Sequence, residues 1–208
     1  VRAGGLERVN AAFAAPPRST EQALHPEKFI GPDIDEPTPI DLGELASFDG
    51  WERIDAAAHG QAYLGIMLTN FGLPALSVSR ATQGWDGDVY HAYRSEDGRV
   101  AVVLATVWDT ERDAREFVAA FRETIAVKHP GTEIEQVLDG EQRVVGYRYT
   151  MTRDPLAKDE AGDAGETGMA EGLIKREGDE VVLVEGLPGE GLDAAVAEAL
   201  GVAVEKVK

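Results

Sequence analysis

The stretch Val100–Trp108 constrains the fold of this chain more than any other part of the sequence. Val, Leu, Ala and Trp fill nearly every position in it, so a strand formed here is apolar on both faces. Such a strand belongs in the middle of a sheet that is covered on both sides. Residues 89–93 also favour a strand, and Glu96-Asp97-Gly98 between the two runs predicts a hairpin turn.

Further periodic segments complete a prediction of the fold class. Residues 143–151, 172–176 and 180–185 favour three more strands, giving about five. Apolar residues at three- and four-residue steps between Ala114 and Ile125 predict a helix that Asp109 or Thr110 caps and that ends at His129. Helices are also predicted over residues 56–71, apolar on nearly every face and therefore buried, and over 192–200. The expected fold is α+β, with a mainly antiparallel sheet of about five strands covered by helices.

The first 50 residues differ from the rest in composition. A helix through Leu6 to Ala14 must end before Pro16 and Pro17, because proline fixes φ and lacks the backbone N–H. Residues 1–50 are therefore predicted to hold a remnant helix, a capped turn and an extended, Pro-rich N-terminal arm. Residues 51–208 are predicted to form the α+β domain, with an acidic, flexible loop near 156–170.

The capped turn lies in the segment from Pro16 to Phe29. Ser19 or Thr20 is expected to cap a new helix. The acceptor groups of Glu21 and Gln22 would then lie beside the positive end of the helix dipole. The histidine of the segment is followed at once by Pro26. Two interpretations stay open for it: a structural hydrogen bond at a helix cap, or a place in a loop that borders a cleft. The residues that could border this cleft are Ser19, Thr20, Glu21, Gln22 and His25.

Charge excludes some classes of partner. The chain has 38 acidic and 20 basic side chains, for a net charge of −18, and only six of the basic residues are lysines. Such a charge repels nucleic acids and anionic membranes, and no apolar run reaches transmembrane length. The composition indicates a salt-adapted, haloarchaeal protein, since molar salt shortens the Debye length to about 3 Å and screens self-repulsion. An acidic protein from a GC-rich mesophile is the alternative.

Motif chemistry specifies no reaction. Cysteine is absent, which excludes thiolate nucleophiles and thiolate metal sites. The four histidines, His25, His59, His91 and His129, lack the spacing of a zinc helix, and no serine lies in a G-x-S-x-G elbow. No catalytic residue, metal ligand or cofactor is therefore assigned to this chain. An independent hydrolase that uses His91 and Asp88 is one further hypothesis.

Several segments together resemble a known family. They are residues 4–13, residues 16–29, the run Gly84-Trp85-Asp86-Gly87-Asp88 before a strand, and residues 107–117 leading into a helix. In this order they resemble the C-terminal half of a haloarchaeal surface-protein family related to zinc metallopeptidase-like proteins. The resemblance covers roughly residues 4 to 125.

The resemblance implies an accessory role, not a catalytic one. The H-E-x-x-H helix of that family, which would carry zinc and the general base, lies upstream of the proline segment and is absent from this sequence. The chain also opens without an initiator Met or a signal peptide, so it is interpreted as a fragment. It is then expected to be extracellular or at the cell surface, with the N-terminal half of the same protein or another surface protein as partner. The alternative is a non-enzymatic structural or protein-interaction module of the cell surface.

Overall fold

A computed structural model describes residues 5–30, 34–151 and 170–201. Its central element is the predicted hairpin, in which the apolar run pairs with the strand before it. The strands are β1 (Glu52–Ala57), β2 (Trp85–Arg94), β3 (Val100–Trp108), β4 (Ile134–Leu138), β5 (Val144–Thr150), β6 (Glu171–Glu177) and β7 (Glu180–Leu187). The helices are α1 (Gly5–Ala14), α2 (Thr20–Leu24), α3 (Glu27–Ile30), α4 (Gly60–Asn70), α5 (Ala75–Thr82), α6 (Glu111–Lys128) and α7 (Gly189–Leu200).

The α+β class and the antiparallel sheet are confirmed, but the expected number of strands is wrong. The sheet has seven strands in the order β1-β2-β3-β7-β6-β5-β4, and every neighbouring pair is antiparallel. The two strands that the sequence did not predict, β1 and β4, are the two edges. All six residues of β1 are exposed. The strand therefore has no buried face, and its sequence lacks the alternation of apolar and polar residues by which a strand is recognised. The β1 edge is further altered by a register shift between Arg53 and Asp55.

The sheet is covered on both faces, as the apolar run predicts. Leu104 and Trp108 of β3 face a core built with α4, α5 and α6, whereas Val103 faces a second core built with α7. The second core also contains Leu42, Leu45 and Phe48, which come from the irregular residues 34–45 and the short 3₁₀ helix Ala46–Phe48. The N-terminal half of the chain therefore contributes directly to the apolar core of the domain.

The prediction of a fully buried helix over residues 56–71 is wrong in two respects. Ala56 and Ala57 belong to β1, and α4 begins only at Gly60, whose φ of +76° suits glycine. Leu64 and Leu68 are buried, but Tyr63 and Ile66 are 49% and 57% exposed. One apolar face of α4 is thus left open to solvent.

The N-terminal helices follow the predicted stops. Helix α1 ends at Ala14, before the two prolines, and Ser19 caps α2 by accepting a hydrogen bond from the Gln22 N–H. Thr110 likewise caps α6, which ends at Lys128. Apart from Ala170, the predicted acidic loop near 156–170 lies outside the described residues, as does Pro32 of the predicted arm. None of the helices in the described ranges is both long and apolar enough to cross a membrane.

Candidate functional site

Helices α2 and α3, with the residues between them, form a segment that packs against α4. We call residues 19–30 the α2–α3 segment. The Thr20 hydroxyl accepts a hydrogen bond from the Ala62 N–H of α4 at 3.1 Å. Gln22 is buried, and its side chain donates to the Asp35 carbonyl at 2.6 Å and accepts from the Arg18 N–H at 2.8 Å. Thr20 and Gln22, two of the predicted cleft residues, thus hold this segment in place.

Glu21 is buried and belongs to a group of charges around the Lys28 ammonium. The Lys28 ammonium is 2.6 Å from the Glu21 carboxylate, 2.7 Å from Asp35 and 3.7 Å from Asp109. We call these four residues the Lys28 cluster. Burial raises the pKa of Glu21 to about 7, and the contact with Lys28 only partly opposes this effect. Glu21 lies in the first turn of α2, beside the positive end of the helix dipole, and its carboxyl group also contacts Lys28.

His25 lies beside an open cleft. It ends α2, where its N–H donates to the Glu21 carbonyl at 2.7 Å, and its imidazole is 3.5 Å from the Glu27 carboxylate. The cleft, of about 880 Å³, lies between α2, α4 and α5, and we call it the α4–α5 cleft. Its lining comprises Leu24, His25, Gln61, Ala62, Gly65, Ile66, Thr69, Asn70, Val78, Ser79, Thr82 and Gln83.

The α4–α5 cleft has no Asp, Glu, Lys or Arg among its lining residues in the described part of the chain. Leu24 of α2 and Ile66 of α4 are 55% and 57% exposed. Gln61 donates to the Thr82 carbonyl at 2.9 Å, and this bond fixes which end of its amide is the acceptor. The remaining amide oxygen is buried and has no hydrogen-bond partner among the described residues. The cleft is therefore a neutral, mainly apolar surface on a strongly acidic protein.

Ser19, Thr20 and Asp88 are among the residues that line a second cavity, of about 420 Å³. The Asp88 carboxylate accepts from the N–H groups of His59 and Gly60 at 2.6 and 2.8 Å and from the Trp85 indole at 3.2 Å. Burial raises the pKa of Asp88, against the opposing effect of these hydrogen bonds. Asp88 thus holds the start of α4 on β2.

The imidazole of His59 completes this end of α4. It is stacked between the rings of Tyr63 and Tyr90, with ring centres 4.0 and 4.2 Å away. The Tyr90 hydroxyl in turn donates to the Asp55 carboxylate of β1. Burial lowers the pKa of His59, which favours the neutral ring. His59 therefore acts in packing between α4 and the first two strands.

The hypothesis of a hydrolase that uses Asp88 and His91 is not supported by their positions. The two residues are three apart on β2, so their side chains point to opposite faces of the sheet. Asp88 contacts α4, whereas the His91 ring nitrogen lies 3.0 Å from the Tyr93 hydroxyl, and Tyr93 stacks on Phe48 of the second core. The structure keeps them apart.

Gly87 allows the N-terminal residues to approach β2 closely. Thr38 bonds to Asp86 through both its N–H and its hydroxyl, and a Cβ on Gly87 would lie 2.2 Å from the Thr38 carbonyl oxygen. Gly87→Ala is therefore expected to displace Thr38 and lower the free energy of unfolding by about 2 kcal/mol, measured by urea denaturation. Gly140→Ala is the matched control, because a Cβ there meets nothing within 4 Å. Equal stabilities of the two variants would contradict this expectation.

A buried polar group lies apart from both cavities. Glu185 of β7 accepts from the Lys128 ammonium at 2.5 Å and from the Tyr149 hydroxyl at 2.5 Å, and the His129 imidazole lies 3.9 Å away. Burial alone would raise the pKa of Glu185, but His129, Lys128 and Tyr149 outweigh it and lower that pKa to about 2. Both carboxylate oxygens are engaged, which indicates a structural role.

No set of three or more His, Asp or Glu side chains in the described ranges is arranged to hold a metal ion. Sequence reasoning missed Asp88, Gln61 and Lys28 as organising residues. A carboxylate close to Trp85 at the start of a strand was the available signal for Asp88, whereas Gln61 and Lys28 gave none.

Comparison with known proteins places the chain in a family without assigning an activity. No curated protein and no solved structure matches it. The model of a domain of unknown function, DUF8575, matches residues 48–196, which span β1 to most of α7 and include two walls of the α4–α5 cleft. Because this match covers more than half of the sequence, the chain belongs to the DUF8575 family.

Proposed function

We propose that this chain is the accessory, non-catalytic C-terminal region of a haloarchaeal cell-surface or secreted metallopeptidase-like protein. In this proposal any zinc and its ligands belong to an upstream half. The α4–α5 cleft binds an apolar segment of that half or of another surface protein.

The observation that carries the proposal is the neutral character of the cleft. A net charge of −18 disfavours close approach of another acidic surface, yet the lining of this cleft contains no Asp, Glu, Lys or Arg from the described ranges. Exposed apolar side chains grouped in a concave surface are typical of a binding site. Leu24, Ile66 and the partly buried Val78 supply such a group here.

Two further observations favour an accessory role. The carboxylates of Glu185 and Asp88 are fully occupied by hydrogen bonds that stabilise the fold. The segments that resemble the metallopeptidase-related family, residues 16–29 and 84–88, meet around the second cavity, which Ser19, Thr20 and Asp88 line. The two segments therefore come together at the start of α4.

Binding between the two halves in trans tests the proposal. The upstream half of the parent protein and this chain are produced separately, and their dissociation constant is measured in molar KCl by calorimetry. Ile66→Glu in the cleft is expected to weaken binding by at least tenfold, because it buries a charge in the apolar contact. Leu76→Glu is the matched control, since Leu76 is 76% exposed on α5 and does not line the cleft.

Peptidase assays separate this proposal from the alternative, a non-enzymatic interaction module. Zinc-dependent cleavage of peptides by the intact parent, and none by this chain, is the expected result. Inactivity of both would favour the interaction module, and activity of this chain alone would contradict both. Absence of binding in trans, or equal binding by the Ile66→Glu and Leu76→Glu variants, would overturn the assignment of the cleft.

A further inference from the structure

The α2–α3 segment forms one wall of the α4–α5 cleft, and a few polar contacts attach it to the rest of the domain. Leu24 and His25 at the end of α2 are that wall, and α4 and α5 supply the others. Thr20 contacts the backbone of α4, and Lys28 reaches Asp109 at the junction of β3 and α6. Movement of this segment would therefore change the width of the cleft.

The charges at this attachment do not balance. One ammonium, that of Lys28, lies among three carboxylates, those of Glu21, Asp35 and Asp109. Glu21 is the most deeply buried of the three, at 3% exposure. Helix α4, which packs on α2, has no charged side chain that could compensate. Asp86 and Asp113 add negative charge near Asp109. One proton on the cluster would reduce this repulsion.

We propose that the Lys28 cluster is a proton-sensitive switch that fixes or releases the α2–α3 segment and so opens or completes the α4–α5 cleft. With Glu21 protonated, the cluster holds one positive and two negative charges, and the segment stays packed on α4. With Glu21 ionised, the cluster holds a third negative charge, on its most deeply buried carboxylate, and the attachment weakens. The switch acts whichever partner occupies the cleft.

The direction of the pH effect follows from the pKa of Glu21. Burial raises this pKa from 4.5 to about 7 in the packed segment, whereas the released, hydrated side chain has the ordinary value. The packed state therefore binds the proton more tightly. The contribution of Glu21 to the attachment is fully present below pH 4.5 and is lost as the pH rises through 7. Between pH 5 and 8 the packing equilibrium is expected to change on the order of tens of fold.

Amide hydrogen exchange of the full chain measures this equilibrium without a ligand. The reporters are the His25 N–H, bonded to the Glu21 carbonyl, and the Ala62 N–H, bonded to Thr20. After correction for the intrinsic exchange rate, protection at both amides is expected to fall by tens of fold from pH 5 to pH 8. The amides of β3 report global unfolding in the same experiment.

Two glutamate variants identify the titrating group. Glu21→Gln keeps the shape but cannot ionise, so most of the pH dependence is expected to disappear and protection at pH 8 to exceed that of the wild type. Glu27→Gln is the matched control, because Glu27 lies on α3, has a side chain that is 74% exposed and faces His25. It is expected to keep the wild-type pH dependence.

Three results would overturn the proposal: protection in the wild type that does not vary with pH, a Glu21→Gln variant with the wild-type slope, or loss of the slope in Glu27→Gln. Lys28→Met provides a second test of the cluster. It is expected to reduce protection at pH 7 and to restore it only at lower pH, because the carboxylates lose their cation. Unchanged protection in Lys28→Met would also overturn the proposal. None of these measurements uses the proposed partner, so they can fail independently of the proposed function.

Discussion

Glu185→Ala is expected to lower the free energy of unfolding by about 3 kcal/mol at pH 7. The substitution leaves the Lys128 ammonium and the buried Tyr149 hydroxyl without the carboxylate that both contact at 2.5 Å. Tyr149 is 2% exposed and cannot turn to water, whereas Lys128, whose side chain is 28% exposed, recovers part of its hydration. The loss is therefore placed near the lower end of the range for a broken buried ion pair. Urea denaturation monitored by circular dichroism measures it.

The same residue predicts a dependence of stability on acid. The pKa of Glu185 is about 2 in the folded protein against 4.5 for an unperturbed glutamate, so the folded state binds this proton less readily. The ionised Glu185 carboxylate contributes about 3 kcal/mol to the free energy of unfolding. This contribution is fully present above pH 4.5 and is lost as the pH falls towards 2. In Glu185→Ala this part of the acid dependence should be missing. Glu177→Ala, at an exposed glutamate at the end of β6, is the control and should retain it. Identical acid profiles for the two variants would contradict the assignment.

Asp88→Ala is expected to destabilise the protein by about 2 to 3 kcal/mol, with the largest local effect at the start of α4. Three donors lose their acceptor together: the N–H groups of His59 and Gly60 and the indole of Trp85. The substitution also removes a buried negative charge, which burial disfavours, and this offsets part of the cost. Hydrogen exchange at the first turn of α4, together with urea denaturation, gives the local and global effects.

Asp88→Asn separates the loss of charge from the loss of the hydrogen bonds. Asparagine keeps one acceptor oxygen, but its NH2 group cannot accept from the remaining donors, so the loss is expected to be about 1 to 2 kcal/mol, smaller than in Asp88→Ala. Asp49→Ala, at an exposed aspartate, should change stability by less than about 0.5 kcal/mol. A Gly60 amide that exchanges equally slowly in the Asp88→Ala variant and in the wild type would show that Asp88 does not hold α4.

Local signals predicted those parts of the fold that depend on near neighbours. The apolar run of β3 and the turn before it predicted the central hairpin, and Thr110 and the apolar stripe predicted α6. Prolines and a serine hydroxyl predicted the end of α1 and the start of α2. Each of these signals acts within one turn of helix or one hairpin, where spacing in the sequence fixes spacing in the structure.

Elements defined by distant contacts were predicted poorly. The edge strands β1 and β4 have little apolar pattern, because an edge buries few side chains. Helix α4 was expected to be buried all round, but α2 and α5 leave part of its apolar surface open, and that opening is the cleft. The apolar composition of α4 indicates that the helix packs against other elements, but it does not predict which of its faces they cover.

The same distinction between local signals and distant contacts applies to the candidate sites. The sequence by itself determined the α+β class, the two-sided cover of β3, the acidic charge and the turn at Ser19, because composition and short-range periodicity suffice for these. Only the tertiary structure decided that Asp88 holds α4 from 28 residues away, that Glu185 pairs with Lys128 across 57 residues, and that α2, α4 and α5 enclose a neutral cleft. The physical reason is that burial and hydrogen-bond partners depend on which distant chain segments pack together. Local sequence patterns do not specify that packing.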